Sequence, residues 1–343
     1  MMTLREAAGV LLARVRGDDV TFTGVSTDTR TLKSGDLFVA LRGEHFDGHA
    51  FLEQAHAAGA GAAMVDSNRE RLTELPTLVV GNTRLALGTL AAQWRARFST
   101  PLVAITGSSG KTTVKEMLAA ILRAAGSTAQ QDNVLATRGN LNNDIGTPLM
   151  LLELRERHRY AVIELGMNHA GEIGYLTKLA SPDVALITNA GRAHIEYLGS
   201  EEAIADAKGE IFDGLGKDGI AVINADDRYA QKWRDLAGER RRIEFALAGS
   251  ADVTAKHRSH ALESEIVLKT PGGEVAVKLH APGVHNVRNA LAAAAAAVAL
   301  DIPVATIAAG LESYAGIKGR LQITAGASGT TVIDDTYNAN PES

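Results

Sequence analysis

Short apolar runs alternate along this chain with stretches whose apolar residues recur at helical spacing, a pattern that predicts an α/β protein. Val20 to Val25 reads as a strand and runs into the polar turn Ser26-Thr27-Asp28-Thr29-Arg30. Gly35-Asp36 turns into the apolar run Leu37-Phe38-Val39-Ala40-Leu41, followed by Arg42-Gly43-Glu44-His45-Phe46-Asp47-Gly48-His49 and a helix over 50–58. Ala62 to Val65 and Thr77 to Val80 complete a first, small α/β unit over residues 1–82. Its two polar loops leave strand ends, where α/β sheets gather ligands, although ordinary turn chemistry also accounts for their composition.

An amphipathic helix follows over 83–98, with Pro101 behind it, and the first domain boundary is placed before or within that helix. A central domain over 83–313 alternates helices with the strands Leu102 to Thr106, Tyr160 to Leu165, Val184 to Thr188 and Ile220 to Asn224, which predicts a mostly parallel sheet covered on both faces. Glu265 to Thr270 and Glu274 to Leu279 flank Pro271-Gly272-Gly273 and predict an antiparallel hairpin at one edge. His285 to Leu300 and Val304 to Tyr314 read as helices, the alanine tract 292–297 as tight packing. Leu321 to Ala325 and Thr331 to Ile333 read as two strands before the polar loop Asp334-Asp-Thr-Tyr-Asn-Ala-Asn-Pro341. With no helix after them to complete a βαβ unit, residues 314–343 are expected to be the start of a third domain that is mostly absent.

One junction carries a chemical signature. The strand Leu102-Val-Ala-Ile105 meets Thr106-Gly107-Ser108-Ser109-Gly110, and Lys111-Thr112-Thr113 opens a helix with Val114, Met117, Leu118, Ile121 and Leu122 on one side. Glycines let backbone N–H groups close on an anion, and the helix N-terminus adds a favourable partial charge. Lys111 would reach terminal phosphates and the Thr112 hydroxyl would sit on Mg²⁺. The loop is a short variant, because Ile105 stands where the general P-loop pattern has its first glycine.

Composition narrows the class. The 343 residues carry a formal net charge of -5, which argues against nucleic-acid binding, and the one basic cluster, Arg240-Arg241-Arg242, reads as a solvated helix end. With no cysteine there is neither a disulfide nor a thiolate metal site. No apolar run is long enough to span a membrane, and Met1-Met2-Thr3-Leu4-Arg5-Glu6 lacks the apolar core of a signal peptide, so a cytoplasmic protein without membrane insertion is expected.

Three further residues stand out, two at or beyond strand ends and one in a helix. Glu164 closes the apolar strand Tyr160-Ala-Val-Ile-Glu-Leu165, where a carboxylate is costly unless it is paired or binds a cation, so it is the Mg²⁺ candidate, against a salt-bridged strand end. His194 ends Leu186-Ile-Thr-Asn-Ala-Gly-Arg-Ala-His194, a loop leaving the same sheet edge; histidine is an unusual Mg²⁺ ligand, and chemistry alone leaves it unassigned. Lys208 lies in a helical segment beside Gly209, whose presence there costs roughly 1 kcal/mol against alanine and hints at close packing; on its own it reads as solvated.

Taken in order, these stations resemble the Mur ligases over the whole chain. The most specific pieces are Thr106-Gly-Ser-Ser-Gly-Lys-Thr-Thr113, Gly139-Asn-Leu-Asn-Asn-Asp-Ile-Gly-Thr-Pro148, Glu164-Leu-Gly-Met-Asn-His169, Thr188-Asn-Ala-Gly-Arg-Ala-His194, Ala207-Lys-Gly-Glu-Ile211, His285-Asn-Val-Arg-Asn289 and the final Asp334 to Pro341 loop. The resemblance implies three domains: a substrate domain, a P-loop domain and a Rossmann-like domain, here truncated. It implies a monomeric enzyme that joins D-alanyl-D-alanine to UDP-N-acetylmuramoyl-tripeptide through an acyl phosphate in peptidoglycan precursor synthesis, with ATP and Mg²⁺. By the same resemblance Gly107, Ser108, Ser109, Gly110, Lys111, Thr112 and Thr113 hold ATP phosphates. Thr112, Glu164, His194 and a carbamate on Lys208 hold Mg²⁺, and Lys111, Lys208 and His194 are the catalytic set. Asn289 would lie at the adenine, Arg320 near the phosphates and Asp335 on the ribose. Thr29, Glu44, His45 and Phe46 would grip the UDP end, and Asn142 and Asn143 the muramyl portion. Lacking the third domain, the chain is expected to bind its UDP-substrate without ligating. The sibling ligase that adds the third peptide residue and a non-catalytic UDP-sugar- or nucleotide-binding module stay open; the first unit argues against a folate polyglutamate synthetase, and a P-loop ATPase would leave His194 and Lys208 without a role.

Overall fold

A computed structural model describes residues 1–67, 69, 73–126, 133–191, 195–317, 319, 322–325, 331–334 and 336. The chain divides into two compact units, one formed by Met1–Ser99 with Asp144–Arg155, the other by Thr100–Asn143 with Glu156–Ser343.

In the first unit, the strands Val25–Ser26, Leu37–Val39, Ala62–Asp66 and Thr77–Val80 lie parallel in that order, and Arg14–Arg16 adds antiparallel to the last. Phe38, Ala40, Leu52, Ala55, Ala63 and Val65 form its core. The expected single strand from Val20 to Val25 is broken. Thr21–Phe22 pairs with Met2–Thr3, while Val25–Ser26 joins the larger sheet. Between them, Thr23 N–H donates to Gly35 O at 3.0 Å, and a Cβ on Gly24 would lie 2.4 Å from Asp36 Oδ1, so a side chain at this bend would displace the Asp36 carboxylate. The helix Thr83–Arg95, capped by Asn82, belongs to this unit. Asp144–Arg155 packs with it: Arg84 Nη2 donates to Asp144 Oδ1 at 2.7 Å and Trp94 Nε1 to Leu154 O at 3.1 Å.

The second unit holds, among the described residues, a nine-stranded sheet. Seven neighbours run parallel in the order Val134–Ala136, Tyr160–Glu164, Leu102–Thr106, Val184–Ile187, Ile220–Asn224, Arg241–Ala246 and Val253–Ser259. Ser264–Thr270 and Gly273–Leu279 close one edge as the expected antiparallel hairpin. The Arg240–Arg242 cluster does not end a helix; Arg241 and Arg242 open a strand with their side chains exposed. The helix Lys111–Ala125 buries Val114, Met117, Leu118, Ile121 and Leu122 as its spacing predicts. The helix Val284–Ala299 buries Ala292 to Ala297, whose small side chains let it lie close to the sheet. Gln322–Ala325 and Thr331–Asp334 pair antiparallel. Among the described residues no helix is long and apolar enough to cross a membrane.

The order of the parallel strands sets the site. The chain leaves Leu102–Thr106, builds the two strands on one side, then returns to build Val184–Ile187 on the other. Loops from the carboxyl ends of adjacent strands diverge at such a switch point and leave a crevice.

Candidate active site

The crevice is a cleft of about 930 Å³ in the second unit, lined by the loop 106–113 and by residues that include Asn142, Asn143, Glu164, Lys208 and Asn289. Two glycines make the loop possible. Gly107 has φ +153°, and a Cβ there would sit 1.8 Å from Thr188 Oγ1; Gly110 has φ +79°, and its Cβ would sit 2.3 Å from Asn289 Oδ1. Gly110 also opens the helix Lys111–Ala125 without a side-chain cap, so its first N–H groups face the cleft.

The loop is fastened to the next strand end. Ser108 N–H donates to Asn189 O at 3.0 Å, and Gly191 N–H donates to Ser108 Oγ at 2.8 Å. Ser109 N–H donates to Asn189 Oδ1 at 3.0 Å, while Thr188 Oγ1 and Asn189 Nδ2 donate to Ser109 O at 2.7 and 3.2 Å. Lys111 Nζ donates to Gly107 O at 2.7 Å. These ties fix a loop of small residues that would otherwise hold many conformations.

Glu164 is 3% exposed. Its Oε2 accepts from Thr112 Oγ1 at 2.9 Å, its Oε1 from Asn142 Nδ2 at 2.9 Å, and its N–H donates to Thr137 Oγ1 at 2.9 Å. A carboxylate and a hydroxyl turned toward each other beside a phosphate-type loop form an oxygen donor set suited to Mg²⁺. No cluster of three or more His, Asp or Glu able to cage a metal occurs among the described residues. Mg²⁺ takes one or two protein oxygens and completes its shell from phosphates and water.

Lys208 is 1% exposed on the helix Glu201–Gly209, and so departs from a solvated lysine. Burial, and then the charge of Lys111, push its pKa well below the ordinary lysine value. The close packing hinted at by Gly209 is present: a Cβ there would lie 2.4 Å from Leu236 Cδ1.

In the first unit, the loops carrying Thr29 and Glu44-His45-Phe46 both leave carboxyl ends of parallel strands. Glu44, His45 and Phe46 are exposed and Thr29 is half-buried. Arg30 forks onto Asp28 at 2.6–3.1 Å, and that guanidinium pulls the Asp28 carboxyl down to about 2. At the other loop, buried His49 accepts the Asp66 N–H on Nε2 at 3.0 Å, which leaves Nδ1 to donate to Asp47 Oδ1 at 2.6 Å. His194, Arg320 and Asp335 lie outside the described residues.

Asn142 is found on the Glu164 carboxylate. Sequence reasoning assigned nothing to Thr137, Thr188, Asn189 or the pair Asp226-Asp227. Asp227 Oδ2 accepts from Ala190 N–H at 2.9 Å, and burial pushes its pKa up. The available signal was the polar residue or pair at each strand's carboxyl end, Thr188-Asn189 and Asn224 to Asp227.

The family model "Mur ligase middle domain" matches residues 105–297, and "Mur ligase family, catalytic domain" matches residues 21–95. The UDP-N-acetylmuramoyl-tripeptide–D-alanyl-D-alanine ligase of Escherichia coli is 46% identical, over 99% of this chain and 74% of that protein. The chain belongs to the Mur ligase family. Members of this family are ATP-dependent amide-bond ligases. A crystal structure of MurF from Acinetobacter baumannii superposes with a TM-score of 0.91 at 41% identity, covering 99% of this chain and 74% of that one. MurF from Thermotoga maritima, solved in complex with ADP, gives 0.79 at 30% identity over 93% and 72%. The mostly parallel sheet with an antiparallel edge is thus the Mur ligase fold.

Proposed function

We propose that this Mur ligase uses ATP to join D-alanyl-D-alanine to UDP-N-acetylmuramoyl-tripeptide. One observation carries the reading: the chain is 46% identical to the E. coli enzyme of that activity across 99% of its length. The cleft supports it chemically, because phosphate loop, carboxylate and buried lysine line one crevice.

The reaction has two steps. The tripeptide's terminal carboxylate attacks the γ-phosphorus of ATP and ADP departs; the dipeptide's amine then displaces phosphate from the acyl phosphate and loses a proton. The chain's part is positioning and charge neutralisation. Residues 107–113 cradle the phosphates, with Lys111 as their cation. Glu164 and Thr112 hold Mg²⁺, with His194 as a further ligand; the ion, when bound, offsets negative charge on phosphate oxygens. Asn289 serves the adenine, Arg320 the phosphates and Asp335 the ribose. Thr29 and Glu44-His45-Phe46 take the UDP end, and Asn142 and Asn143 the muramyl portion.

Carbamylation of Lys208 accords with its surroundings. Burial and Lys111 favour its neutral amine, the form that adds CO₂ and releases a proton to leave a carbamate. That anion replaces a repelled cation beside Lys111 and adds an oxygen donor for Mg²⁺. In ¹³C-bicarbonate, a carbamate carbon resonance should appear and be lost in Lys208→Ala; its absence from the parent protein with Mg²⁺ present would remove this role.

A substrate panel tests the whole reading. By calorimetry, UDP-N-acetylmuramoyl-tripeptide should bind more tightly than the UDP-dipeptide. Any ADP formation beyond a single turnover should require the tripeptide substrate together with D-alanyl-D-alanine. Turnover supported instead by the UDP-dipeptide and a free diamino acid would move the chain to the sibling ligase.

A further inference from the structure

A second buried lysine has no part in the chemistry above. Lys115 is 1% exposed on the helix Lys111–Ala125, among the core residues Val114, Met117 and Leu118. An apolar side chain would satisfy that position, and burying a cation is costly unless it is paired and hydrogen-bonded. Its Nζ donates to Thr137 O at 2.5 Å and pairs with Glu116 Oε1 at 2.7 Å.

Thr137, itself 1% exposed, is where the two halves of the proposed metal site are tied. Its N–H donates to Val162 O at 3.0 Å and its Oγ1 accepts the Glu164 N–H at 2.9 Å. One residue thus joins the end of the strand that carries Glu164 to the helix that carries Lys111 and Thr112. We infer that Lys115 is a positioning residue for the Glu164 carboxylate, acting through Thr137. The inference rests on the reading of Glu164 as a Mg²⁺ ligand. Groups that orient a metal ligand influence metal affinity without touching the ion. A purely structural lysine would lower stability and every form of nucleotide binding together.

The test compares ADP binding by calorimetry with Mg²⁺ and with EDTA, in the parent protein, Lys115→Met, Thr137→Val and Thr137→Ser. Lys115→Met and Thr137→Val should each weaken ADP binding about 10-fold with Mg²⁺ and leave it unchanged in EDTA. Thr137→Ser, which keeps the hydroxyl, should match the parent. If Lys115→Met does not fold, Lys115→Gln decides by the same comparison, since its shorter side chain keeps a polar end but draws it back from Thr137 O. Equal losses in Mg²⁺ and EDTA, or no loss in either, would overturn the inference while the metal reading stands. A parent protein whose ADP affinity ignores Mg²⁺, and is unmoved by Glu164→Gln, would overturn both.

Discussion

Lys208 is a buried lysine whose amine is pushed toward its neutral form. Its lowered pKa means that, from that value up to the ordinary lysine value near 10, the unfolded chain holds a proton that the folded chain does not. Its contribution to stability therefore rises with pH across that window and is least favourable at the low end. Lys208→Met should raise the melting temperature at neutral pH in CO₂-free buffer. The gain should shrink by at most about 1.4 kcal/mol per pH unit as pH approaches 10. Melts at successive pH values check this, and a gain independent of pH would show that the lysine stays charged in the fold.

At the scale of elements, a close helix crossing sets the packing behind the phosphate loop. A Cβ on Gly310, in the helix Val304–Glu312, would lie 2.3 Å from Ile121 Cα of the helix Lys111–Ala125. Backbone cannot yield as a flexible side chain does, so Gly310→Ala should cost about 1–3 kcal/mol in urea unfolding. Gly209→Ala meets only side-chain atoms, chiefly the Leu236 methyl, and should lie near the parent. The same contrast separates what the sequence made legible from what it hid. Leu102–Thr106 and Ile220–Asn224 were readable because their apolar runs are continuous and bounded by turn residues. Arg241–Ala246 was not, because its exposed arginines and Glu244 break the apolar pattern; Glu244 is matched only in three dimensions, by the fork of Arg234 at 2.7 and 2.8 Å. In the site, the glycine loop and Glu164 were legible from local pattern. The holds of Thr188 and Asn189 on Ser109, and of Asn142 on Glu164, were not, since such bonds join residues far apart in sequence.

At the scale of the whole molecule, each unit carries its own core, and the chain passes between them at residues 99, 143 and 155. The two tryptophans divide accordingly, Trp94 in the first unit and Trp233 in the second. A ligand that binds only the folded state stabilises it by mass action, about 2.7 kcal/mol at 100 times Kd. In Trp94→Phe, Mg²⁺ and ADP should therefore raise the unfolding midpoint reported by Trp233; an unmoved midpoint would take the nucleotide out of the second unit.

The central claim is that the cleft around Lys111 and Glu164 binds nucleotide as a Mur ligase does. Titration calorimetry of the protein with ADP and Mg²⁺, beside Lys111→Ala, tests it most directly. The account predicts saturable binding in the parent and a loss of at least about tenfold in the variant, as expected for a charged hydrogen bond to phosphate. Binding of equal strength in parent and variant would contradict it.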